Sequence, residues 1–212
     1  MKYYDKELIS RAHEIDGLTN WTWVSRDTGA WQGPVEDWKT SHKEKYTKFL
    51  RNRNTAVCAG GNLGLYPKLL SQIFSTVYTF EPDALNFHCL VNNCQSDNII
   101  KINAALGETH KMISLDRPCN DNLGMHRVNE IKPGIIPVLR LDDFVFEGLD
   151  FLQLDVEGFE IQVLRGGIEN IKKHKPVISC ENGSDQILTF LKPMGYDVVE
   201  ISVSDTIYGA LI

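Results

Sequence analysis

The stretch Thr55-Ala-Val-Cys-Ala-Gly-Gly-Asn-Leu-Gly64 decides how this chain folds. An apolar, strand-like run from Thr55 to Ala59 breaks into glycines. A helical stripe follows over residues 66 to 75, with Leu65, Leu69, Leu70 and Ile73 on one side. The next segments repeat the alternation. Thr76 to Phe80 is a β-branched and aromatic strand, and Pro82 suits the first turn of a helix running to about Asn92. Ile99 to Ala104 reads as a third strand and Phe151 to Val156 as a fourth. Phe159 to Lys173 reads as one helix, weakened in its middle by Gly166-Gly167. Val177 to Cys180 is a fifth strand, Asp185 to Leu191 a helix, and Asp197 to Val203 a last strand. Strands alternating with helices predict an α/β fold with a doubly wound, mainly parallel, Rossmann-like sheet. Its ligand should lie beyond the carboxyl ends of the strands.

Away from this core the pattern changes. Residues 108 to 140 are less regular, with a hairpin, a polar loop over 119 to 127 and a turn at Lys132-Pro-Gly134. Residues 1 to 50 hold all four tryptophans, Trp21, Trp23, Trp31 and Trp38, with helices expected over 5 to 15 and 36 to 50. This segment reads as a cap on a larger domain spanning 51 to 212, its aromatics serving as packing anchors more readily than as a substrate mouth. The basic run from Lys43 to Arg53 reads as a solvated helix face, with an anionic substrate or partner as the alternative.

Bulk properties narrow the function. At 212 residues, 42% hydrophobic and 24% charged, the chain suits one globular domain. A formal charge of -6 argues against sequence-independent nucleic-acid binding, which needs clustered Lys and Arg. The five cysteines, Cys58, Cys89, Cys94, Cys119 and Cys180, form neither a disulfide framework nor a CxxC metal module. Neither a signal peptide nor a membrane span is visible, so a soluble, cytoplasmic protein is expected.

The glycine turn permits close backbone approach to a ligand, and the helix behind it favours an anionic group, phosphate or carboxylate. Glu81 ends the second strand, where an acid accepts hydrogen bonds from both ribose hydroxyls of an adenosine. A dinucleotide fingerprint GxGxxG would need glycine where Asn62 and Leu65 stand. Asn62 hinders pyrophosphate approach and offers an amide to the methionine part of S-adenosylmethionine. Both cofactor classes remain open on these residues alone.

Seven ordered motifs resemble the FkbM-type methyltransferase family over about residues 55 to 182. They are Val57-Cys-Ala-Gly-Gly-Asn-Leu-Gly64, Tyr78-Thr-Phe-Glu-Pro82, Asn103-Ala-Ala-Leu-Gly107, Leu139-Arg-Leu-Asp-Asp-Phe144, Leu152-Gln-Leu-Asp-Val-Glu-Gly-Phe-Glu160, Val163-Leu-Arg-Gly-Gly167 and Lys175-Pro-Val-Ile-Ser-Cys-Glu181. The resemblance implies S-adenosylmethionine as cofactor and a hydroxyl of a sugar, glycan or other small molecule as acceptor. It places Gly60, Asn62 and Gly64 at the methionine portion, Glu81 at the ribose, and Ala104 and Ala105 beside the adenine, with Gly61, Pro82 and Asp155 also in the cofactor site. One departure is Cys58, where many members carry Asp.

Methyl transfer to an alcohol needs an aligned nucleophile and a way to remove its proton. Asp155, closing the fourth strand, is the leading candidate for base and for contact at the methyl end. Glu157 is a second acid there, and His126 in the polar loop is an alternative base. Asp155 with Glu181 and Asn182 forms an oxygen set suited to Mg²⁺, similar to the metal site of catechol-type O-methyltransferases. Two rivals stay open: an NAD(P)-dependent oxidoreductase on the same fold, and a non-catalytic glycan- or nucleoside-binding module. Oligomeric state is not legible.

Overall fold

The computed structural model describes residues 8–11, 21–27, 44–119, 121–202 and 205–210. In chain order the elements are β1 (Leu8–Arg11), β2 (Trp21–Val24), β3 (Thr55–Ala59), α1 (Leu65–Ser71), β4 (Thr76–Phe80), α2 (Ala84–Asn93) and β5 (Ile99–Ile102). Then come β6 (Ala105–Leu106), β7 (Lys111–Asp116), β8 (Arg127–Asn129), β9 (Ile136–Leu139) and β10 (Leu149–Leu154). Last are α3 (Glu160–Gly166), α4 (Ile168–His174), β11 (Val177–Glu181), α5 (Asp185–Leu191), β12 (Tyr196–Ile201) and β13 (Asp205–Ala210).

The main sheet has seven strands in the order β12-β13-β11-β10-β3-β4-β5. From β11 to β5 every pairing is parallel, while β13 runs antiparallel to both β11 and β12. The strands flanking the middle are apolar on both faces because helices cover both, and all five residues of β3 are buried. Val57 and Ala59 face a cluster with Leu152, Leu154, Val163 and Ile178, while Ala56 and Cys58 face Leu69, Leu70, Val77 and Phe151. Chain order reverses between β3 and β10, so their carboxyl ends open the crevice in which α/β sheets hold ligands.

The doubly wound expectation describes this sheet, but several elements differ in extent. The third strand stops at Ile102, and Ala105 belongs instead to a separate four-stranded sheet, β6-β9-β7-β8, built from the irregular region. The long helix expected over 159 to 173 breaks at Gly167 into α3 and α4. A Cβ on Gly166 would lie 1.9 Å from the Gly107 carbonyl oxygen, so the small sheet abuts the helix there. The final strand β13 had no counterpart in the sequence reading. It begins with Asp205, 3% exposed and ion-paired with Lys45, a partner remote in sequence.

The first fifty residues also differ. Residues 8–11 are a strand, not a helix, paired antiparallel with β2. That hairpin has an anchor: the Thr22 N–H donates to Asn93 Oδ1 at 2.8 Å, and Asn93 Nδ2 donates to Thr22 O at 2.9 Å. Such stitching onto α2 outweighs local helix propensity. Trp21 and Trp23 are packing anchors, buried with Leu63, Leu65, Leu85 and Leu123, whereas Trp31 and Trp38 lie outside the described residues. Residues 44–47 are helical, and 36–43 fall outside. The basic run is exposed at Lys48, Arg51 and Arg53, as a solvated face would be, but not at Lys45 or Tyr46. Lys45 pairs with Asp205, Lys48 with Glu200, and Tyr46 is fully buried against Phe151.

Candidate active site

A cavity of about 440 Å³ opens at the carboxyl ends of β3, β4 and β10, within the range of small-molecule sites. Its first wall is the glycine turn. Gly60 N–H and Gly61 N–H both donate to Phe80 O at 3.0 Å, which leaves the turn's next donor for a side chain. Asn62, in the left-handed region with φ 46, swings its N–H onto Glu81 Oε2 at 2.7 Å. The Asp83 N–H reaches Glu81 Oε1 at 2.8 Å. Two features read separately in the sequence are thus one unit: each Glu81 oxygen is oriented by a backbone donor. Burial pushes the Glu81 carboxyl up to about 8, against the backbone donors that favour its anion.

The glycines divide by duty. Gly60, with φ 88, borders the cavity, and a Cβ there would fall 1.8 Å from the Asp155 carbonyl oxygen. Gly61 is turned toward Thr79 and Leu90, and Gly64 toward Cys94; neither lines the cavity. Ala105 lines it, while Ala104 is buried behind the wall. Cys58 is on the opposite face, its thiol donating to Gln153 Oε1 at 2.9 Å, so its departure from the family pattern lies outside the lining.

The polar loop forms the roof. A 3₁₀ turn at Leu123–Met125 inserts Leu123 beneath the tryptophans, and Asn86 Nδ2 donates to Leu123 O at 3.1 Å. His126 is therefore not a surface residue: its side chain is 5% exposed, and its Nδ1 lies 3.3 Å from Asp83 Oδ2. Arg117 reaches the same oxygen at 2.9 Å. Burial alone would raise the Asp83 carboxyl, but His126, the α2 backbone and Arg117 together hold it well below the usual carboxylate range.

At the other end, Asp155, Glu157 and Glu181 bring carboxylate oxygens within 4.8 Å of one another. Asp155 follows β10 and is fixed by its N–H to Ala59 O at 3.0 Å. Glu157 and Gly158 have φ 54 and 97, a reversal that turns Glu157 back toward the cavity. Burial, then the neighbouring Glu181, pushes Asp155 well above the ordinary range, and the same two causes raise Glu157. Asn182, expected as a third oxygen ligand, is not among the lining residues, where Glu157 joins Asp155 and Glu181. Sequence reading missed Tyr66, which lines the cavity from the first turn of α1. Its position two residues beyond Gly64 was the available signal.

Among the described residues the lining carries four carboxylates, from Glu81, Asp155, Glu157 and Glu181, and no Lys or Arg. Four of its buried polar atoms, Asn62 Oδ1, Asn86 Oδ1 and both ring nitrogens of His126, have no hydrogen-bond partner among the described residues. Apolar surface from Phe80, Ala105, Leu106, Val128 and Phe159 completes the wall. A ligand matching it brings hydrogen-bond donors and positive charge with a flat apolar body. A pyrophosphate would meet carboxylates without a compensating cation.

A parallel sheet ending in an antiparallel insertion, with its cleft at the switch point, is the class I S-adenosylmethionine-dependent methyltransferase fold. The wholly parallel 3-2-1-4-5-6 order of dinucleotide enzymes lacks that insertion. The family model for the methyltransferase FkbM domain matches residues 71–198, more than half of the chain, and the chain belongs to that family. Among solved structures, methyltransferase FkbM from Methylobacillus flagellatus KT is 19% identical, with 80% of this chain and 50% of that chain covered and a TM-score of 0.49. The chain thus spans half the length of that relative. The Pyrococcus abyssi tRNA (uracil-54, C5)-methyltransferase in complex with S-adenosyl-L-homocysteine is 10% identical, covering 97% and 44%, with a TM-score of 0.52. Precorrin 8w decarboxylase from Methanobacterium thermoautotrophicum is 13% identical, covering 82% and 90%, with a TM-score of 0.50. At such identities the likeness speaks for the fold. No curated protein matches the chain. No described helix is long and apolar enough to cross a membrane.

Proposed function

We propose that the cavity binds S-adenosylmethionine and that the chain is an O-methyltransferase acting on a hydroxyl of a sugar, glycan or other small molecule. The observation that carries this reading is the lining itself, with four carboxylates, bare acceptors and no Lys or Arg among the described residues, which suits a cationic, donor-rich nucleoside. Glu81 accepts the ribose hydroxyls through oxygens already oriented by Asn62 and Asp83, with Pro82, Ala105 and Leu106 beside the base. Gly60 and Asn62 border the amino-acid part. When bound, the cofactor supplies a methyl group on a positively charged sulfur and leaves as S-adenosylhomocysteine.

Asp155 and Glu157 do the acceptor's acid–base work. Their raised proton affinity suits a base that takes the hydroxyl proton as the oxygen bonds to the methyl carbon and the carbon–sulfur bond breaks. Burial and mutual repulsion create that affinity, so no strong base is needed in solution. His126 is assigned elsewhere, because its ring is held against Asp83 in the roof. The trio of Asp155, Glu157 and Glu181 also has the oxygen chemistry of a Mg²⁺ site. Activity that survives EDTA and ignores added Mg²⁺ removes the metal from this scheme.

The five free cysteines, four of them buried, suit a reducing compartment, and we place the protein in the cytoplasm. Residues 1–50 are best regarded as a cap that supports the roof through Trp21 and Trp23. Isothermal titration separates the rivals: S-adenosylhomocysteine binds and NAD⁺ does not. Binding of NAD⁺ alone overturns the reading. A screen of sugars and phenols with methyl-labelled donor then tests the acceptor. Tight cofactor binding with no transfer to any hydroxyl compound would leave a nucleoside-binding module instead.

A further inference from the structure

Two acids of the cluster belong to a longer row. Leu154 pairs with Cys180 in the parallel register of β10 and β11, so Asp155 and Glu181 follow as the next neighbours. Glu181 is in turn paired with Asp205 of β13. Side chains alternate between faces along a strand. Phe151, Val177 and Ile207 share the cluster on the α1 face, and Asp155, Glu181 and Asp205 stand at even spacings from them. Three carboxylates therefore line up across neighbouring strands on that face. Lys45 closes the far end, its ammonium spent on Asp205 and on Ser202 Oγ at 2.6 Å.

Tyr66 belongs to the near end. Its ring packs on the same face, 6.2 Å from the ring of Tyr46, which is fully buried and 4.8 Å from Phe151. Tyr66 lines the cavity together with Asp155 and Glu181. Burial, then the charge of Asp205, holds its phenol well above the ordinary range, and Asp155 adds to the shift. Such a phenol keeps its proton and offers a donor, not a base. The other donor-bearing side chains of the lining belong to the roof. Asn86 Nδ2 donates to Leu123 O, Asn122 caps the 3₁₀ turn and His126 faces Asp83. Asn62 Nδ2 would lie 3.3 Å from a Cβ on Gly124. Among the described residues this leaves Tyr66 as the side-chain donor on the acid side of the lining.

We propose that Tyr66 is the positioning residue of the acceptor end: its hydroxyl donates to the Asp155 carboxylate and fixes the oxygen that receives the acceptor's proton. This rests on the methyl-transfer reading in which Asp155 is the base. A carboxylate free to turn among Glu157 and Glu181 faces the acceptor only part of the time, and misorientation of a reacting group is costly in rate.

The experiment compares wild type with Tyr66→Phe, which keeps the ring and loses the hydroxyl. The assay is methyl transfer from labelled S-adenosylmethionine to the best acceptor of the sugar and phenol screen. The variant's kcat falls by about 10- to 100-fold, while acceptor KM and S-adenosylhomocysteine affinity stay within about twofold. An unchanged kcat, or cofactor affinity that falls as far as kcat, overturns the positioning role and leaves the methyl-donor reading standing. If Tyr66→Phe does not fold, a crystal structure of wild type with S-adenosylhomocysteine decides. The Tyr66 hydroxyl within hydrogen-bond distance of Asp155 supports the proposal, and one out of reach overturns it. No transfer from wild type to any hydroxyl acceptor overturns both readings.

Discussion

Replacing Gly60 by alanine tests how the turn is built. With φ 88 the position is left-handed, which costs an L-residue roughly 1–2 kcal/mol. A Cβ would also lie 1.8 Å from the Asp155 carbonyl oxygen and 2.9 Å from its carbon, both backbone atoms with no rotamer to yield. Relief means parting the ends of β3 and β10, where Asp155 N–H bonds Ala59 O at 3.0 Å. That adds about 1 kcal/mol for the hydrogen bond and about 1–3 kcal/mol for overpacking. The total is roughly 3–6 kcal/mol, a fall in melting temperature of about 6–24 °C for a chain of this size. Gly195→Ala is the control, because Gly195 has φ 81 and nothing within 4 Å of the added carbon. It carries the conformational cost alone, about 2–8 °C. Thermal unfolding by circular dichroism reads both. A Gly60→Ala variant that melts no lower than Gly195→Ala refutes the claim that this glycine is demanded by Asp155.

Glu81→Gln leaves one of two backbone N–H groups facing an amide donor, so it loses about 1–3 kcal/mol of stability or binding, measured as lost S-adenosylhomocysteine affinity; unchanged affinity contradicts the ribose assignment. Because ribose hydroxyls favour the anion and the free carboxyl sits at about 8, adenosine affinity rises with pH by up to about tenfold per unit below 8 and levels above it, while the Gln variant stays flat. Asp155→Asn is more stable than wild type at pH 8. The folded chain holds a proton that the unfolded carboxyl releases near pH 4, so stability falls as pH rises above that value. Melting curves at pH 4, 6 and 8 should show the gap opening with pH, and a constant gap refutes the acid-cluster account. Lys45→Ala removes the ammonium paired with Asp205, which is 3% exposed, and costs about 3–5 kcal/mol in chemical unfolding; a loss under 1 kcal/mol means the pair does not anchor residues 44–47.

What could be read in the sequence follows from where the physics is local. The buried parallel strands announce themselves as apolar runs, and Thr55 to Ala59 needs no partner to be recognised. Glu81 and Asp155 were equally legible, because strand ends in such a sheet point at the crevice. Long-range pairings were not. β1 is a strand because Asn93 holds its neighbour β2, and β13 exists around a buried Asp205 whose counter-ion comes from residue 45. His126 reads as surface until Asp83 and the tucked Leu123 are seen to draw the loop inward. Gly61 and Gly64 read as ligand-facing, yet they make room for Thr79 and Cys94.

The most direct test of the account is a crystal structure with S-adenosylhomocysteine. It should show both ribose hydroxyls within hydrogen-bond distance of the Glu81 oxygens, the base between Pro82 and Ala105, and the sulfur pointing toward Asp155 and Glu157. A nucleoside lying elsewhere, or one in this cavity with its ribose away from Glu81, would contradict it.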